Sequence, residues 1–325
     1  MPSMKDVAEH AGVGIGTVSR YINNNGYLAE ATRKKIAQAV KELGYTPNQL
    51  ASNLARNKST LIGVVVPDIE HPFFSAFAHY VEMHLYQHGY KTLICNTVGI
   101  SDREKTYLEM LDRNIVDGII TCSQTLDSSL YLSTTKPIVA LDHSFSEDIP
   151  VVYSNHRKGG TLAANLMAEA GCKNVIQFMT PANIPTPSNI RHQVFEEVLR
   201  SKGIHVTTYQ SEWNVFDINA LRAMFREKLD QAQDFDGIFA ADLGAVCCLN
   251  ILQEMGIDVP GKVKLVGYDG LNITGYTTPR ITTISQNING LASSCVDVIL
   301  KKINNQSDFP SEIIWDVSIK RGNSI

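Results

Sequence analysis

No apolar run in this sequence approaches the roughly 18 residues that a membrane-spanning helix requires. The N-terminus also lacks the basic-then-apolar pattern of a secretory signal peptide. We therefore expect a cytoplasmic protein with no membrane partner. At 325 residues the chain is long enough for two or three domains that each bury a core.

Motifs of common enzyme and metal sites are missing as well. The sequence contains no phosphate-binding loop, nucleophile elbow or H-E-x-x-H zinc motif. His84 and His88 lie four residues apart on a predicted helix, but no third ligand follows at a recognisable metal-site spacing. The six cysteines form no C-x-x-C pair, which is typical of free thiols in a reducing compartment. We expect neither a cofactor nor a metal.

Charge is distributed unevenly along the chain, although the net charge is only −4. Residues 1–58 hold eight Lys and Arg against four Asp and Glu, whereas the remainder holds 21 against 29. A small basic head on an acidic body indicates that only the head meets a polyanion.

The stretch from Met4 to Asn23 predicts two short helices joined by a tight turn at Gly12, a residue that can adopt a positive φ. Apolar residues at helical spacing face inward, namely Val7, Ala8, Ala11, Val18 and Ile22. The outer side of the second helix carries Ile15, Gly16, Thr17, Ser19 and Arg20. This is the helix-turn-helix pattern, whose second helix lies in the major groove of DNA.

A third helix is predicted from about Ala29 to Leu43, with Gly44 as its stop. Its basic residues Arg33, Lys34 and Lys35 fit phosphate contacts and a solvated helix face equally well. The glycines from Gly12 to Gly16 follow a helix rather than a strand, so we do not interpret them as a dinucleotide-binding loop.

The segment that begins at Pro47 is helix-compatible for about ten residues, which is too short for a stable isolated helix. Its apolar stripe of Leu50, Ala51 and Leu54 has no core of its own. Two interpretations stay open here. The segment is either a linker with incidental helicity or a hinge that folds on DNA and inserts Leu54 into a minor-groove base step.

From residue 60 onward, short apolar strands alternate with amphipathic helices. The strand-like segments are Leu61–Pro67, Thr92–Cys95, Gly118–Thr121 and Ile138–Asp142, then Val175–Met179, Val206–Tyr209, Gly237–Ala241 and Val263–Tyr268. Such strands are typical of parallel sheets covered on both faces. Two series predict two doubly wound lobes, with a ligand bound between them at the carboxyl ends of the strands.

Polar and aromatic residues that follow these strands are the candidates for ligand binding. They comprise Phe73, Phe74, Asp142, Asp242 and Asp269. Carboxylates can accept two hydroxyl hydrogen bonds at once and so suit hydroxyl-rich ligands. Asp68 follows the first strand in the same way and makes a fourth strand-end aspartate. Such aspartates also cap helices, and we expect at least one of the four, Asp68, to do so.

Three motifs resemble the lactose/galactose-repressor (LacI/GalR) family of transcriptional regulators. They are MKDVAEHAGVGIGTVSRYIN at 4–23, ELGYTPNQLASNLAR at 42–56 and LIGVVVPDIEHPFF at 61–74. The resemblance covers essentially the whole chain. It implies an α/β protein with a three-helix head, a hinge helix and a two-lobed core like type I periplasmic binding proteins, with two doubly wound parallel sheets.

The resemblance also implies roles in DNA binding. Base contacts fall on Ile15 and Gly16, with Arg20 further along, and Thr17, Ser19 and Asn23 match positions that hold phosphates or brace the helix. Leu54 matches the intercalating leucine, with Ala51 beside it and Asn48 in the same DNA-binding set. Gly14 and Gly16 depart from the usual polar residues, so fewer side chains of this helix can read bases.

For the effector, the resemblance implies a clamping arginine at Arg191, preceded by Ser188, and a ring-stacking aromatic at Trp213. A tryptophan that merely closes a loop stays an alternative for Trp213. Three departures change the cleft: Ala241-Asp242 replaces Asn-Asp, Asp269-Gly270 keeps only the first of two aspartates, and Asn155-His156 replaces Asp-Asn.

We expect a DNA-binding domain at 1–46, a hinge at 47–58 and a ligand-binding and dimerisation core at 59–325. Within the core, the lobe nearest the DNA takes about 60–155 and 287–310, and the distal lobe takes about 156–286 and 311–325. After Trp315 only a strand-like DVSIKRG remains, which favours a homodimer over a tetramer.

These features predict a repressor that binds double-stranded operator DNA under the control of a small-molecule effector, either a sugar or a sugar phosphate. The DNA-binding head argues against an enzyme. Two alternatives stay open. One is a regulator with a purine-type corepressor, because Phe73, Phe74 and Trp213 can stack a base as well as a sugar. The other is a non-regulatory sugar-binding receptor, which the basic head opposes.

Overall fold

A computed structural model of the chain describes residues 2–23, 25–46, 58–98, 100–123, 129–181, 186–212 and 217–325. The chain divides into two compact units, a head that ends at Ser59 and a core that begins at Thr60. In the part of the chain that is described, no helix has the length and apolar character needed to cross a membrane.

The described head consists of α1 (Met4–Ala11), α2 (Ile15–Ile22) and α3 (Glu30–Leu43). Helix α1 begins with a capping box, in which the Ser3 hydroxyl accepts from the Asp6 N–H and the Asp6 carboxylate accepts from the Ser3 N–H at 2.7 Å. Gly12 (φ 65°) and Gly44 (φ 59°) end α1 and α3 in the left-handed conformation. The predicted helices, turn and stop are confirmed.

A small apolar core holds the three helices together. Its fully buried members come from all three helices and are Val7, Ala8, Val18, Ile36 and Ala39. Because α2 buries only Val18 completely, most of its surface stays available outside the core of the head.

The core unit contains two six-stranded sheets within its described residues. Its strands are β1 (Leu61–Val66), β2 (Lys91–Asn96), β3 (Gly118–Thr121), β4 (Ile138–Leu141), β5 (Val151–Ser154), β6 (Asn174–Met179), β7 (His205–Gln210), β8 (Gly237–Phe239), β9 (Lys264–Asp269), β10 (Thr282–Ser285), β11 (Glu312–Trp315) and β12 (Ser318–Lys320). The orders are β11-β5-β4-β3-β1-β2 in the first lobe and β12-β10-β9-β8-β6-β7 in the second. All pairs are parallel except β10 with β12.

Helices cover both faces of each sheet. They are α4 (Pro72–Gln87), α5 (Ser101–Asp112), α6 (Ser129–Leu132), α7 (His156–Glu169), α8 (Ile190–Ser201), α9 (Ile218–Gln231), α10 (Asp242–Glu254) and α11 (Ile288–Ile303). In the first lobe α4 and α11 pack on one face and α5 and α6 on the other. In the second lobe α9 and α10 oppose α7 and α8. The α/β fold with two doubly wound lobes is confirmed.

The chain passes between the lobes three times, after β5, after β10 and after β11. The last passage corrects the predicted lobe limits, which place residues 311–325 in the distal lobe. Residues 312–315 belong to the first lobe instead, because β11 pairs with β5 from Glu312↔Val151 to Trp315↔Ser154. Only β12 joins the second sheet, against β10.

Two adjacent glycines bring α7 unusually close to its neighbours. A Cβ on Gly159 would lie 2.5 Å from the Tyr268 hydroxyl, and a Cβ on Gly160 would lie 2.3 Å from the Arg191 carbonyl oxygen. Both distances are far below van der Waals contact, so only glycine permits this packing of α7 against β9 and α8.

The substitution Gly160→Ala should destabilise the core by ~1–3 kcal/mol, because the backbone of α8 must move to admit the methyl group. Urea unfolding of the purified protein would measure the loss. Gly275→Ala is the control, since nothing lies within 4 Å of a Cβ there. Equal stability of the two variants would contradict the proposed tight contact.

Candidate functional site

The outer side of α2 presents its side chains to solvent. Ile15, Gly16 and Arg20 are exposed, whereas Thr17, Ser19 and Asn23 are partly buried. Arg20 Nε donates to the Gly16 carbonyl at 3.4 Å, and Asn23 Nδ2 donates to the Ser19 carbonyl at 2.9 Å. These contacts brace the end of the helix against its own backbone.

Packing inside the head requires neither Gly16 nor Gly14, the N-cap of α2. A Cβ on Gly16 would meet nothing within 4 Å, and a Cβ on Gly14 would meet only Thr17 Oγ1 at 3.9 Å. Neither residue has a positive φ. Since glycine in the first turn weakens a helix by ~1 kcal/mol, its presence at 16 has no explanation within the head itself.

Four predicted site residues lie outside the described residues. They are Asn48, Ala51 and Leu54 of the hinge segment, and Trp213.

A cavity of about 150 Å³ lies between the two lobes of the core. Six predicted effector residues line it, namely Phe73, Phe74, Asp142, Ser188, Arg191 and Asp269. They come from both lobes and from the carboxyl ends of β4 and β9 or the starts of α4 and α8. The strand-end rule thus brings together groups that are up to about 200 positions apart in the sequence.

Arg191 is held in place by two second-lobe residues. Its guanidinium carbon lies 4.4 Å from the ring centre of Tyr268, and its Nε donates to His192 Nε2 at 3.2 Å. Burial and the charge of Arg191 lower the pKa of His192 well below its usual value, so this ring is a neutral acceptor. A planar guanidinium fixed in this way can bind a pair of oxygens with little loss of entropy.

Asp269 connects the cavity to two of the passages between the lobes. Its Oδ1 accepts from Gln286 Nε2 at 2.8 Å, and Gln286 Oε1 in turn accepts from the Ser154 hydroxyl at 2.6 Å. Burial raises the pKa of Asp269 to about 6, an effect that the charge of Arg191 partly opposes. The Asp269 side chain is therefore mainly an ionised acceptor above pH 6 and becomes protonated below it.

Asp142 contributes a carboxylate from the first lobe. It has a positive φ of 56°, which an L-residue rarely adopts, and its Oδ1 accepts from His156 Nε2 at 2.8 Å. His156 begins α7 of the second lobe, so this bond crosses between the lobes.

Asp242 differs from its prediction as an effector residue. Its side chain is fully buried, with Oδ1 accepting from the Thr283 hydroxyl at 2.6 Å and Oδ2 from the Leu271 N–H at 2.7 Å. Burial, and secondarily the charge of Asp269, raises the pKa of Asp242 well above its usual value. Both oxygens are used inside the protein, so Asp242 fastens the turn that follows β9 and does not line the cavity.

Sequence reasoning missed several residues that line the cavity. They are His71, Cys122, Leu141, Thr180 and Gln286, while Ala241 was named only as a departure from the family pattern. Gln286 follows β10, a short strand without a clear apolar pattern, and His71 is the N-cap of α4. Burial lowers the pKa of His71 to about 4, so it stays neutral at physiological pH. A strand-end signal existed for two of these positions. Thr180 directly follows β6, and Ala241 lies two residues after the end of β8.

The arrangement suits a neutral, hydroxyl-rich molecule. One guanidinium and two carboxylates offer donors and acceptors from both lobes, and Phe73 and Phe74 supply an apolar wall. In the described part of the core, no carboxylate lies within 4.0 Å of Arg191, so its remaining N–H groups are not used by an ion pair.

Comparison with known proteins covers both units. Residues 3–48 match the model of bacterial regulatory proteins of the lacI family, and residues 164–325 match the model of a periplasmic binding protein-like domain. The sucrose operon repressor of Streptococcus mutans is 37% identical over 328 residues, which cover 99% of each chain.

Two solved structures have the same architecture. A periplasmic binding protein/LacI transcriptional regulator from Alkaliphilus metalliredigens, complexed with D-xylulofuranose, aligns with a TM-score of 0.73 at 27% identity over 82% of this chain and 99% of that chain. The lac repressor dimer bound to operator and the anti-inducer ONPF aligns with a TM-score of 0.85 over 99% of this chain and 98% of that chain. At 24% identity, this second likeness shows the fold alone.

Asp269→Asn should stabilise the core at neutral pH. Because the folded state raises the pKa of Asp269 from 3.8 to about 6, the folded protein binds this proton more tightly than the unfolded chain does. The contribution of Asp269 to stability is therefore greatest below pH 3.8 and is lost as the pH rises through 6. The amide removes that loss and still offers an acceptor to Gln286, so we expect a gain of ~1–3 kcal/mol at pH 7.5 that shrinks toward pH 4.

Urea unfolding at pH 4.5, 6 and 7.5 would measure this gain, with the exposed Asp297→Asn as the control. A difference between wild type and Asp269→Asn that stays constant with pH would show that the Asp269 carboxylate is not destabilised by its burial.

Proposed function

This chain belongs to the lacI family of bacterial regulatory proteins and is therefore a DNA-binding transcriptional regulator rather than an enzyme. We propose that a sugar bound between its lobes controls its affinity for operator DNA. The head binds the DNA, the cavity binds the sugar, and the protein acts as a repressor. We further propose that it works in the cytoplasm, where its DNA is.

The observation that carries this proposal is the set of groups around the cavity. Asp142 of the first lobe and Asp269 of the second accept hydroxyl hydrogen bonds, and Arg191 offers a fixed pair of donors. The phenylalanines Phe73 and Phe74 are placed to contact the apolar face of a ring. A polyhydroxylated ring satisfies all of these groups together.

Two observations favour a sugar over a purine: the carboxylates that accept hydrogen bonds in the cavity, and the names of related proteins. A sugar ring carries several hydroxyls that can donate to carboxylates of both lobes, whereas the N–H donors of a purine are few and lie in the plane of its ring. The relative from Streptococcus mutans is named for a sucrose operon, and the one from Alkaliphilus metalliredigens was solved with a ketose. Both names support a sugar for this chain.

For DNA, we propose that α2 reads the operator with the residues on its outer side. Ile15, Gly16 and Arg20 would meet the bases, while Thr17, Ser19 and Asn23 would hold phosphates or brace the helix. The hinge residues Asn48, Ala51 and Leu54 are proposed as minor-groove contacts on their sequence pattern. We propose a homodimer, since two heads would read the two halves of a pseudo-palindrome.

Control by the sugar follows from differential binding. A ligand shifts an equilibrium between two lobe arrangements only by as much as it binds one of them better. The cavity has residues of both lobes on its wall, so its contacts change whenever the lobes move relative to each other. Sugar binding therefore selects one arrangement, and operator affinity changes with it.

Arg191→Ala should weaken sugar binding by at least ~10-fold, because hydrogen bonds to a charged group contribute ~1.5–3 kcal/mol. Operator affinity without sugar should stay within about twofold, and the sugar should no longer alter it. Calorimetry with sucrose, D-fructose and D-ribose and their phosphates, followed by fluorescence anisotropy with a selected operator duplex, would measure both effects.

Arg222→Ala is the matched control, because that arginine pairs with Glu254 on the exposed surface of the second lobe. Sugar binding by Arg191→Ala at wild-type strength would mean that this cavity is not the effector site. Binding of purines without any sugar response would favour the corepressor alternative.

Gly16→Ala should have opposite effects on folding and on DNA binding. Alanine has room in the head and is the better helix former, so the head should gain ~1 kcal/mol of stability. If the α2 backbone approaches base edges at Gly16, the methyl group should lower operator affinity at least ~5-fold, the value of one base contact at ~1–3 kcal/mol.

Thermal unfolding and operator anisotropy would test the pair of effects, with Ala37→Gly on exposed α3 as the reverse control. A more stable head that binds its operator as tightly as wild type would refute a close approach of Gly16 to DNA.

A further inference from the structure

A line of polar side chains crosses from the first lobe to the second beside the cavity. Asp142 Oδ1 lies 2.8 Å from His156 Nε2, and His156 Nδ1 lies 2.9 Å from the Tyr268 hydroxyl. The His156 and Tyr268 rings are stacked at 5.8 Å between centres, with 28° between their planes. The Tyr268 ring in turn carries the Arg191 guanidinium at 4.4 Å.

The chemistry of these groups sets the direction of the hydrogen bonds. An ionised carboxylate only accepts, so His156 Nε2–H donates to Asp142. In the tautomer with its proton on Nε2, Nδ1 is an acceptor, and the Tyr268 hydroxyl donates to it. The hydrogen bonds therefore all point the same way: Tyr268 donates to His156, and His156 donates to Asp142. Asp142 at one end lines the cavity from the first lobe, and Tyr268 at the other end carries Arg191, which lines the cavity from the second lobe.

Two of the three members of this line, His156 and Tyr268, are buried and closely packed. Tyr268 is fully buried and His156 is 2% exposed, so each would leave an unpaired polar group if its partner were lost. Gly159 makes room for the Tyr268 hydroxyl, as described above. The charged and titratable groups that face His156 are Asp142, Asp269, His192 and Arg191, together with the Tyr268 hydroxyl.

We propose that His156 is a positioning residue of the effector site, which orients the Asp142 carboxylate and couples it to the Tyr268–Arg191 pair across the two lobes. This inference rests on the proposed function of the cavity. His156 occupies one Asp142 oxygen, which leaves the other for a sugar hydroxyl. Asp142 has a backbone φ of 56°, and His156 is the described side chain that bonds its carboxylate.

The coupling has a consequence for how the two lobes respond to a sugar. A sugar hydroxyl that donates to Asp142 shares this carboxylate with His156. Any shift of His156 in response changes its hydrogen bond with the Tyr268 hydroxyl. Asparagine, the residue usual at this position in the resembling family, is too short to bond both partners at once. The histidine thus gives this chain a link between the lobes that an asparagine cannot form.

A double-mutant cycle tests the coupling directly. Asp142→Asn and Tyr268→Phe would be made singly and together, first with His156 present and then with His156→Asn. With His156, the combined effect on the unfolding equilibrium and on sugar affinity should differ from the product of the single effects by at least ~5-fold. With His156→Asn, the two effects should multiply to within about twofold.

Sugar affinity distinguishes positioning from a merely structural role. His156→Asn should bind the sugar that wild type prefers, among sucrose, D-fructose and D-ribose, at least ~10-fold more weakly. His156→Gln should recover most of that loss, because its amide nitrogen reaches the place of Nε2 and can donate to Asp142. His205→Asn, at an exposed position on β7, should change nothing.

The possible results separate the two proposals. Wild-type protein that binds none of these sugars contradicts the proposed function of the cavity. If wild-type protein binds a sugar but the effects of Asp142→Asn and Tyr268→Phe multiply both with His156 and with His156→Asn, only the role of His156 is contradicted. Equal sugar affinity of His156→Asn and wild type would do the same.

Discussion

The first turns of α7 and α8 pack against each other and against β9, and the effector cavity depends on this contact. Gly160 admits the Arg191 carbonyl, and Gly159 admits the Tyr268 hydroxyl. With any larger side chain at these two positions, α8 could not bring Arg191 over the Tyr268 ring, and His156 could not reach Tyr268. Packing between backbones thus decides where the polar groups of the cavity lie.

Asp242 and Asp269 show how two similar residues acquire different roles. Both follow strands and both are buried, yet Asp242 has two protein donors for its two oxygens, whereas Asp269 has Gln286 on one oxygen and lines the cavity. The first aspartate builds the turn that presents the second. A buried carboxylate without full pairing is costly, which is consistent with a position reserved for a ligand.

Much of the fold could be predicted because the strands of a doubly wound sheet are short apolar runs. The rule for their carboxyl ends located four cavity residues, Phe73, Phe74, Asp142 and Asp269, whereas Ser188 and Arg191 were implied by the family resemblance. The rest depended on partners far away in the sequence. Nothing local distinguishes Asp242 from Asp269, since the difference lies in Thr283 and Leu271. The half-exposed strand β11 carries no local signal for the sheet that it joins, because Ile313 and Trp315 pack against first-lobe residues far away in the sequence. His156 was noticed only as a departure from a family pattern, and its two partners appeared with the structure.

The three passages between the lobes have a further consequence. Each lobe is assembled from separate pieces of the chain, and the first sheet is completed only when β11, some 160 residues after β5, takes its place at the edge. No contiguous stretch of the gene therefore encodes one lobe without part of the other. A product truncated before β11 would lack an edge strand of each sheet, so a single early stop would leave both lobes incomplete.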